Sequence, residues 1–504
     1  MRHARCGAVL SGLLTLAPLC AQELPITERT LPNGMRVLMV ERHEEPTIAC
    51  GWVARVGSAD ERPGITGIAH LFEHLMFKGT RTIGTRDAAR DAELNAKQDG
   101  TMAGIRQELD LLREKQRRGD IADSGDPGAR SVHHRQLLER LDSLVLEQRG
   151  IIVKDELDRI YKQAGATGLN ANTTTDRTFF HITVPSNKLE LWAWLEADRI
   201  QNAVFREFYS ERDVVLEERR LRVEATPTGK LQETFNAMIW QASPYSWPVI
   251  GWPSDISAVT RDQAEAFYAT YYAPNNLTVV LVGDFRTTEA YATVERYFCG
   301  IPANPKAPPR VTTLEPSQGA EQRILGNVDA MPMAVCAHKI PSSVHMDSAA
   351  LDVLAGILNG QSGRLTRELV MARRIAVGVE AANQPMKLGG IFYLSGMPAP
   401  GHAPEEVEAA LLQEVERIQR EGVTEREIQK AKNQAQVSRF ALMEGNETLR
   451  DQLAEAEGAG SYQDFLLEST RMNAVTREDV QRVARTYFVP ENRNTLVIHR
   501  KEGK

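Results

Sequence analysis

His70-Leu71-Phe72-Glu73-His74 is the segment that most narrows what this chain can become. At ~100° per residue, His70 and His74 lie about 40° apart on a helix, and Glu73 falls within the same third of the circumference. Two imidazoles and a carboxylate on one helical face can address one metal ion. The segment is therefore read as a helix, and the rest of the fold has to bring a further donor to it. The order H-x-x-E-H inverts the common H-E-x-x-H and is a signature of zinc peptidases. A catalytic zinc held by two imidazoles needs a third protein ligand while keeping a position open for water.

Among the downstream carboxylates, helical phase separates the candidates. In 210–218 (SERDVVLEE), taking Val214 as origin, Val215 falls at about 100° and Leu221 at about −20°, so a buried stripe is expected near 30°. Glu218, at about 40°, and Glu211, at about 60°, lie within it, whereas Glu217, at about −60°, lies to one side. Two carboxylates on a buried face are costly unless paired or bound to metal. Glu218 is thus the expected third ligand, and Glu211, two turns earlier, is placed to orient a ligating His from behind.

The N-terminus reads as an export signal: Arg2 and Arg5, an apolar run over 8–19, then the small residues Cys20 and Ala21. The run is too short to span a bilayer, so cleavage near Ala21 and a periplasmic or secreted product, with no integral membrane segment, are expected. The bulky Leu19 argues against lipid attachment at Cys20. The formal charge is −7 and becomes more negative once Arg2 and Arg5 are removed, which argues against a nucleic-acid partner. Cys50, Cys299 and Cys336 would remain, too few and too widely spaced for a disulfide framework or a Cys-rich zinc site.

Beyond the signal, TLPNGMRVLMV (30–40) carries Asn33-Gly34 between apolar segments, a hairpin signature. A β-rich run over 47–56 follows, and then the motif helix. Over 87–150 apolar residues recur at three- and four-residue spacings amid dense charge, interrupted by a Gly- and Pro-containing stretch, as in an antiparallel helical hairpin. His133 and His134 sit there and are read as surface residues, since neighbours on a helix point about 100° apart. Five prolines within 301–316 mark a linker. The expected organisation is a signal at 1–21, a zinc-binding domain at 22–300 with the hairpin inserted at about 87–150, a linker at 301–318, and a second domain at 319–504 without H-x-x-E-H.

Nearly the whole mature chain resembles the pitrilysin or insulinase-type family of inverted-motif zinc peptidases, in the branch that includes the mitochondrial processing peptidase. The runs that carry the resemblance are TLPNGMRVLMV, GIAHLFEHLMFKGT, LNANTTTDRTFF, LELWAWLEADRI, ERDVVLEE and YYAPNNLTVVLVGDF. The resemblance implies an α+β fold of two similar α/β sandwich domains that face each other as half-shells around a chamber. It implies one Zn2+ per chain held by His70, His74 and Glu218, with Glu73 as the base and Glu211 as the supporting carboxylate. It also implies that Asn170 and Ala171 lie on an edge strand to which an extended peptide adds by main-chain pairing.

Two departures from the family pattern bear on function. The interval from His74 to Glu218 is lengthened by the charged hairpin, which could gate the chamber or bind a partner. Active members also place an Arg and, seven positions later, a Tyr in the segment resembling 364–381; this chain has Val370 and Val377 there, and neither can donate a hydrogen bond. The expected function is an exported zinc endopeptidase acting on unfolded or short peptides, with a homologous partner subunit supplying the Arg and Tyr; a homodimer is the lesser expectation. The alternative is a non-catalytic structural or peptide-binding subunit of a larger complex.

Overall fold

A computed structural model describes residues 24–501; the signal at 1–21 and the cleavage site lie outside them. Around the Asn33-Gly34 turn, β1 (Ile26–Thr30) and β2 (Arg36–Glu41) pair antiparallel. Gly34 supplies φ +86°, and Asn33 Nδ2 ties the turn to the carbonyls of Phe298 and Ile301. With β3 (Thr47–Ala54), β4 (Thr167–Thr173), β5 (Thr178–Pro185) and β6 (Leu277–Gly283) they form a sheet in the order β1-β2-β6-β3-β5-β4. Only β2 and β6 pair in parallel. β3 and β6 are central and covered on both faces, so their sequences are nearly continuous apolar runs.

The second sheet consists of β7 (Gln322–Val328), β8 (Met333–Ile340), β9 (Ala376–Pro385), β10 (Gly390–Pro398) and β11 (Arg493–Arg500), in the order β7-β11-β8-β10-β9. Its one parallel pair is β7 with β11. Apart from β1, the two sheets share one plan: β7 takes the place of β2, β11 of β6, β8 of β3, β10 of β5 and β9 of β4. The fold is α+β, built twice.

The first half carries helices α1 (Ile68–Leu75), α2 (Ala88–Arg118), α3 (Val132–Arg149), α4 (Glu156–Gln163), α5 (Leu189–Gln201), α6 (Phe208–Arg219) and α7 (Gly229–Ile239). One face of the first sheet packs on its own helices through Trp52, Phe72, Phe180 and Trp192. Its other face, with Leu38, Val53 and Val280, is covered by Leu449, Leu453 and Ala454 of the helix Asn446–Ala459, from the second half. Reciprocally, Phe235, Ile239 and Trp240 of the first half cover Ala337, Leu496 and Ile498 of the second sheet. Glu457 seals the first crossing: fully buried, it pairs with Arg36 and with Arg55 (2.7 Å) and accepts from Thr278 and the Tyr462 N–H. Each sheet thus takes the cover of one face from the other half. Residues 301–316 have no regular structure, yet Glu315 pins them by accepting from the N–H groups of Gln241, Ala242 and Ser243 and from Lys339 Nζ.

The charged stretch folds as the antiparallel pair α2 and α3, and its ends meet at the Thr85–Ile152 bridge. It is rooted in the domain rather than self-contained. Asp91, 3 % exposed, pairs with Arg206 (2.7 Å), and Arg206 also donates to the carbonyls of Lys78, Thr80 and Ile83. Asp99 accepts from Tyr209 Oη (2.6 Å) and from Arg261. The surface reading fails for His134, which is 2 % exposed, while His133 is exposed. Ser131 caps α3 by accepting the His134 N–H and aims its first turn at α2, and the ring is enclosed there.

Candidate metal centre

α1 is held at its N-terminus before any metal is considered. Gly67 has φ +86°, and a Cβ there would stand 2.5 Å from the Ile250 carbonyl oxygen, so only glycine fits. The buried Glu61 carboxylate accepts the N–H groups of Gly67 and Ala69, both at 2.8 Å, satisfying donors that a helix start leaves unpaired. Phe72 packs on Tyr268 and Tyr272, with ring centroids 5.3 and 4.0 Å away. These contacts turn His70, Glu73 and His74 toward α6 and β4.

There His70, His74 and Glu218 converge, each offering a donor atom within 4.8 Å of the others; among the described residues no other such group of three or more forms. His74 Nε2 lies 3.4 Å from Glu218 Oε2, and His70 Nε2 lies 3.8 Å from Glu218 Oε1. Tetrahedral zinc with ligand bonds of about 2.0–2.1 Å places its donors about 3.3 Å apart, so this set needs only small adjustments to hold one. Burial, with the neighbouring His74 and Arg222, pushes His70 down to about 3, which leaves it neutral and able to donate a lone pair. Arg222 pairs at 2.7 Å with Glu218 Oε1, the oxygen that faces His70, and leaves Oε2 toward His74.

Glu211, 7 % exposed, stands on the far side of His74, with Oε2 3.4 Å from Nδ1, and Oε1 takes Lys78 Nζ at 2.6 Å. Burial alone would lower the His74 pKa, but the hydrogen bond that its ring donates to Glu211 and the charges of Glu211, Glu218 and Glu73 outweigh it, and the net shift is upward. Burial also raises the Glu73 carboxyl, although the Thr173 hydroxyl donates to its Oε2 at 2.5 Å and opposes that shift. Thr173 ends β4, the edge strand of the first sheet; Asn170 is exposed and Ala171 buried on it, and β4 packs against α1.

Glu211 and Glu218 stand where helical phase places them, but the buried stripe of α6 is not centred between Val214, Val215 and Leu221. Val215 is fully buried, but Val214 is 47 % and Leu221 55 % exposed, so the buried face of α6 centres closer to Val215. Glu211, buried, and Glu218, partly exposed, lie on its flank. Leu221 also lies beyond α6, in a π-helical segment (Arg220–Glu224) where the 100° step no longer applies. Glu217 is exposed and pairs with Arg220. Lys78, Thr173 and Arg222 were not anticipated; the i, i+4 spacings from His74 to Lys78 and from Glu218 to Arg222 were the available signals.

In the second half, Val370 is partly buried in the π-helical segment Thr366–Ala372, and Val377 is exposed on the edge strand β9. Of the nearby arginines, Arg364 is engaged by both oxygens of Glu427 and by the Gly422 carbonyl. Arg373 donates to Gln413.

Residues 36–100 match the family described as Insulinase (Peptidase family M16), and residues 258–435 match Peptidase M16 inactive domain. The zinc protease PqqE of Helicobacter pylori is 24 % identical over 93 % of this chain and 91 % of its own. Among solved structures, a protease from Helicobacter pylori aligns with a TM-score of 0.75 at 23 % identity, over 94 % of this chain and 99 % of that one. The periplasmic protease PqqL of Escherichia coli aligns with a TM-score of 0.70 at 16 % identity, over 96 % of this chain and 48 % of that one, so the present chain spans about half of PqqL. From both matched segments and a likeness extending over nearly its full length, the chain belongs to the M16 family of peptidases.

Proposed function

We propose that this chain is an exported zinc endopeptidase that cleaves unfolded or short peptides, with one zinc held by His70, His74 and Glu218. The observation that carries the reading is the convergence of these three donors within 4.8 Å, with Glu73 on the same helix face. Zinc in such a site acidifies water and polarises a carbonyl. Glu73 then serves as the base that takes a proton from the attacking water and returns it to the leaving amine. Thr173 holds one Glu73 oxygen, which leaves the other free for that transfer. Glu211, braced by Lys78, keeps the His74 ring in place. Asn170 and Ala171 on the β4 edge receive the peptide main chain as a further strand.

The chain also needs a homologous partner to hold the substrate carbonyl. Val370 and Val377 offer no donor, and Arg364 is committed to Glu427. PqqL is described as periplasmic, which supports placing this chain in the periplasm; among the described residues no helix is long and apolar enough to cross a membrane. A non-catalytic reading finds support in the match of 258–435 to an inactive domain, but His70, Glu73, His74 and Glu218 all lie outside that segment. Glu73→Gln decides between the readings: it is expected to keep one zinc, measured by elemental analysis, and to lose about 100-fold or more in peptide turnover. Unchanged turnover would remove Glu73 from the mechanism, and absence of zinc from the unaltered chain would favour the non-catalytic subunit.

A further inference from the structure

Beside the metal centre, between α3 of the inserted hairpin and α6, lies a groove of about 860 Å³. Its apolar wall is made by Leu141, Val145 and Leu146 from α3 with Val214 and Leu221 opposite, and Glu218 stands on it. Leu146 is 65 % exposed, Val214 47 % and Leu221 55 %. Large apolar side chains gathered in one open place mark a binding site more often than a packing fault. The hairpin is secured through α2, whose Asp91 and Asp99 reach Arg206, Tyr209 and Arg261, so its attachment does not require α3 to stand off from α6. The volume lies in the range that takes a ligand and exceeds one side chain. Glu218 and its partner Arg222 both line the groove, which places it directly beside the metal centre.

We infer that this groove is a substrate subsite that takes the apolar side chains of an unfolded polypeptide next to the cleaved bond, and that the inserted hairpin thereby sets selectivity for apolar segments. The inference rests on the peptidase reading and adds the substrate class to it. Its test uses the zinc-loaded chain together with any partner that co-purifies. Two labelled peptides of equal length and charge, one rich in Leu and Phe and one in Ser and Gly, are compared. Binding is followed by fluorescence anisotropy on the Glu73→Gln form, and kcat/KM on the active form. The apolar peptide is expected to bind about ten-fold more tightly, and Leu146→Asp or Val214→Asp, both at exposed positions, to remove about that factor while leaving the polar peptide unchanged. Equal binding of the two peptides, parallel weakening of both, or loss of a bound partner in place of loss of the preference would each overturn the subsite. Preferential binding without cleavage would leave the subsite standing and refute the peptidase reading. Cleavage of both peptides without preference would do the reverse.

Discussion

Glu211→Gln probes how the metal centre is held together. The carboxylate is 7 % exposed and stands between His74 Nδ1 at 3.4 Å and Lys78 Nζ at 2.6 Å, so the substitution keeps the shape and removes one negative charge. The amide has one accepting oxygen for two cationic or donating neighbours, and Lys78 is left with Glu207 at 3.6 Å as its other acid. A carboxylate behind a ligating imidazole contributes about 10–100-fold to metal affinity, which corresponds to about 1.4–2.7 kcal/mol. The burial of Glu211 and its double engagement place the expected loss toward the upper end. The assay is competition for zinc against a fluorescent chelator. Glu217→Gln is the control, removing the same charge next to Glu218 from an exposed residue whose partner is Arg220; its effect should stay below about two-fold. If Glu211→Gln holds zinc as tightly as the unaltered chain, or if the two variants weaken it equally, the carboxylate does not orient His74 and the reasoning fails.

Asp91→Ala leaves Arg206, 1 % exposed, without its counter-charge and should cost about 3–5 kcal/mol in denaturant unfolding, with hydrogen exchange rising first in α2 and α3. A loss below about 1 kcal/mol would show that the three carbonyls hold Arg206 unaided. Tyr161→Phe removes a donor (2.6 Å) from the buried Glu196, which Trp52 and Arg199 also engage, and should destabilise by about 1–3 kcal/mol in the same measurement. Burial raises Asp352 from 3.8 to about 6, so between those values the native chain holds a proton that the unfolded chain has released, and stability falls as pH rises. Asp352→Asn should flatten the stability profile in that window, and an unchanged slope would assign it to other groups.

Much of this was legible in the chain because the relevant signals are local. The Asn33-Gly34 hairpin, the motif helix and the inserted helical pair all follow from periodicities of two or 3.6 residues and from turn chemistry. The doubling of the fold also has a local trace in the chain. YYAPNN (271–276) and YFVPEN (487–492) occupy matching places before β6 and β11, and Asn276 and Asn492 each donate to the carbonyl of the Tyr five residues earlier at 2.8 Å. His134 was misread because its burial comes from packing within the hairpin and not from its own neighbours in sequence.

Which donors exist, and on which local face they stand, is already written in the chain, since covalent geometry sets the helical and strand periods. His70, Glu73 and His74 share a face for that reason alone. Tertiary structure decided which distant carboxylate reaches them, that Lys78 and Thr173 steady the pair of acids around them, and that Val214 and Leu221 stay open to a groove instead of closing a core. It also decided that each sheet borrows its second cover from the other half. Those outcomes depend on desolvation and packing between segments far apart in the chain, energies that no local pattern carries.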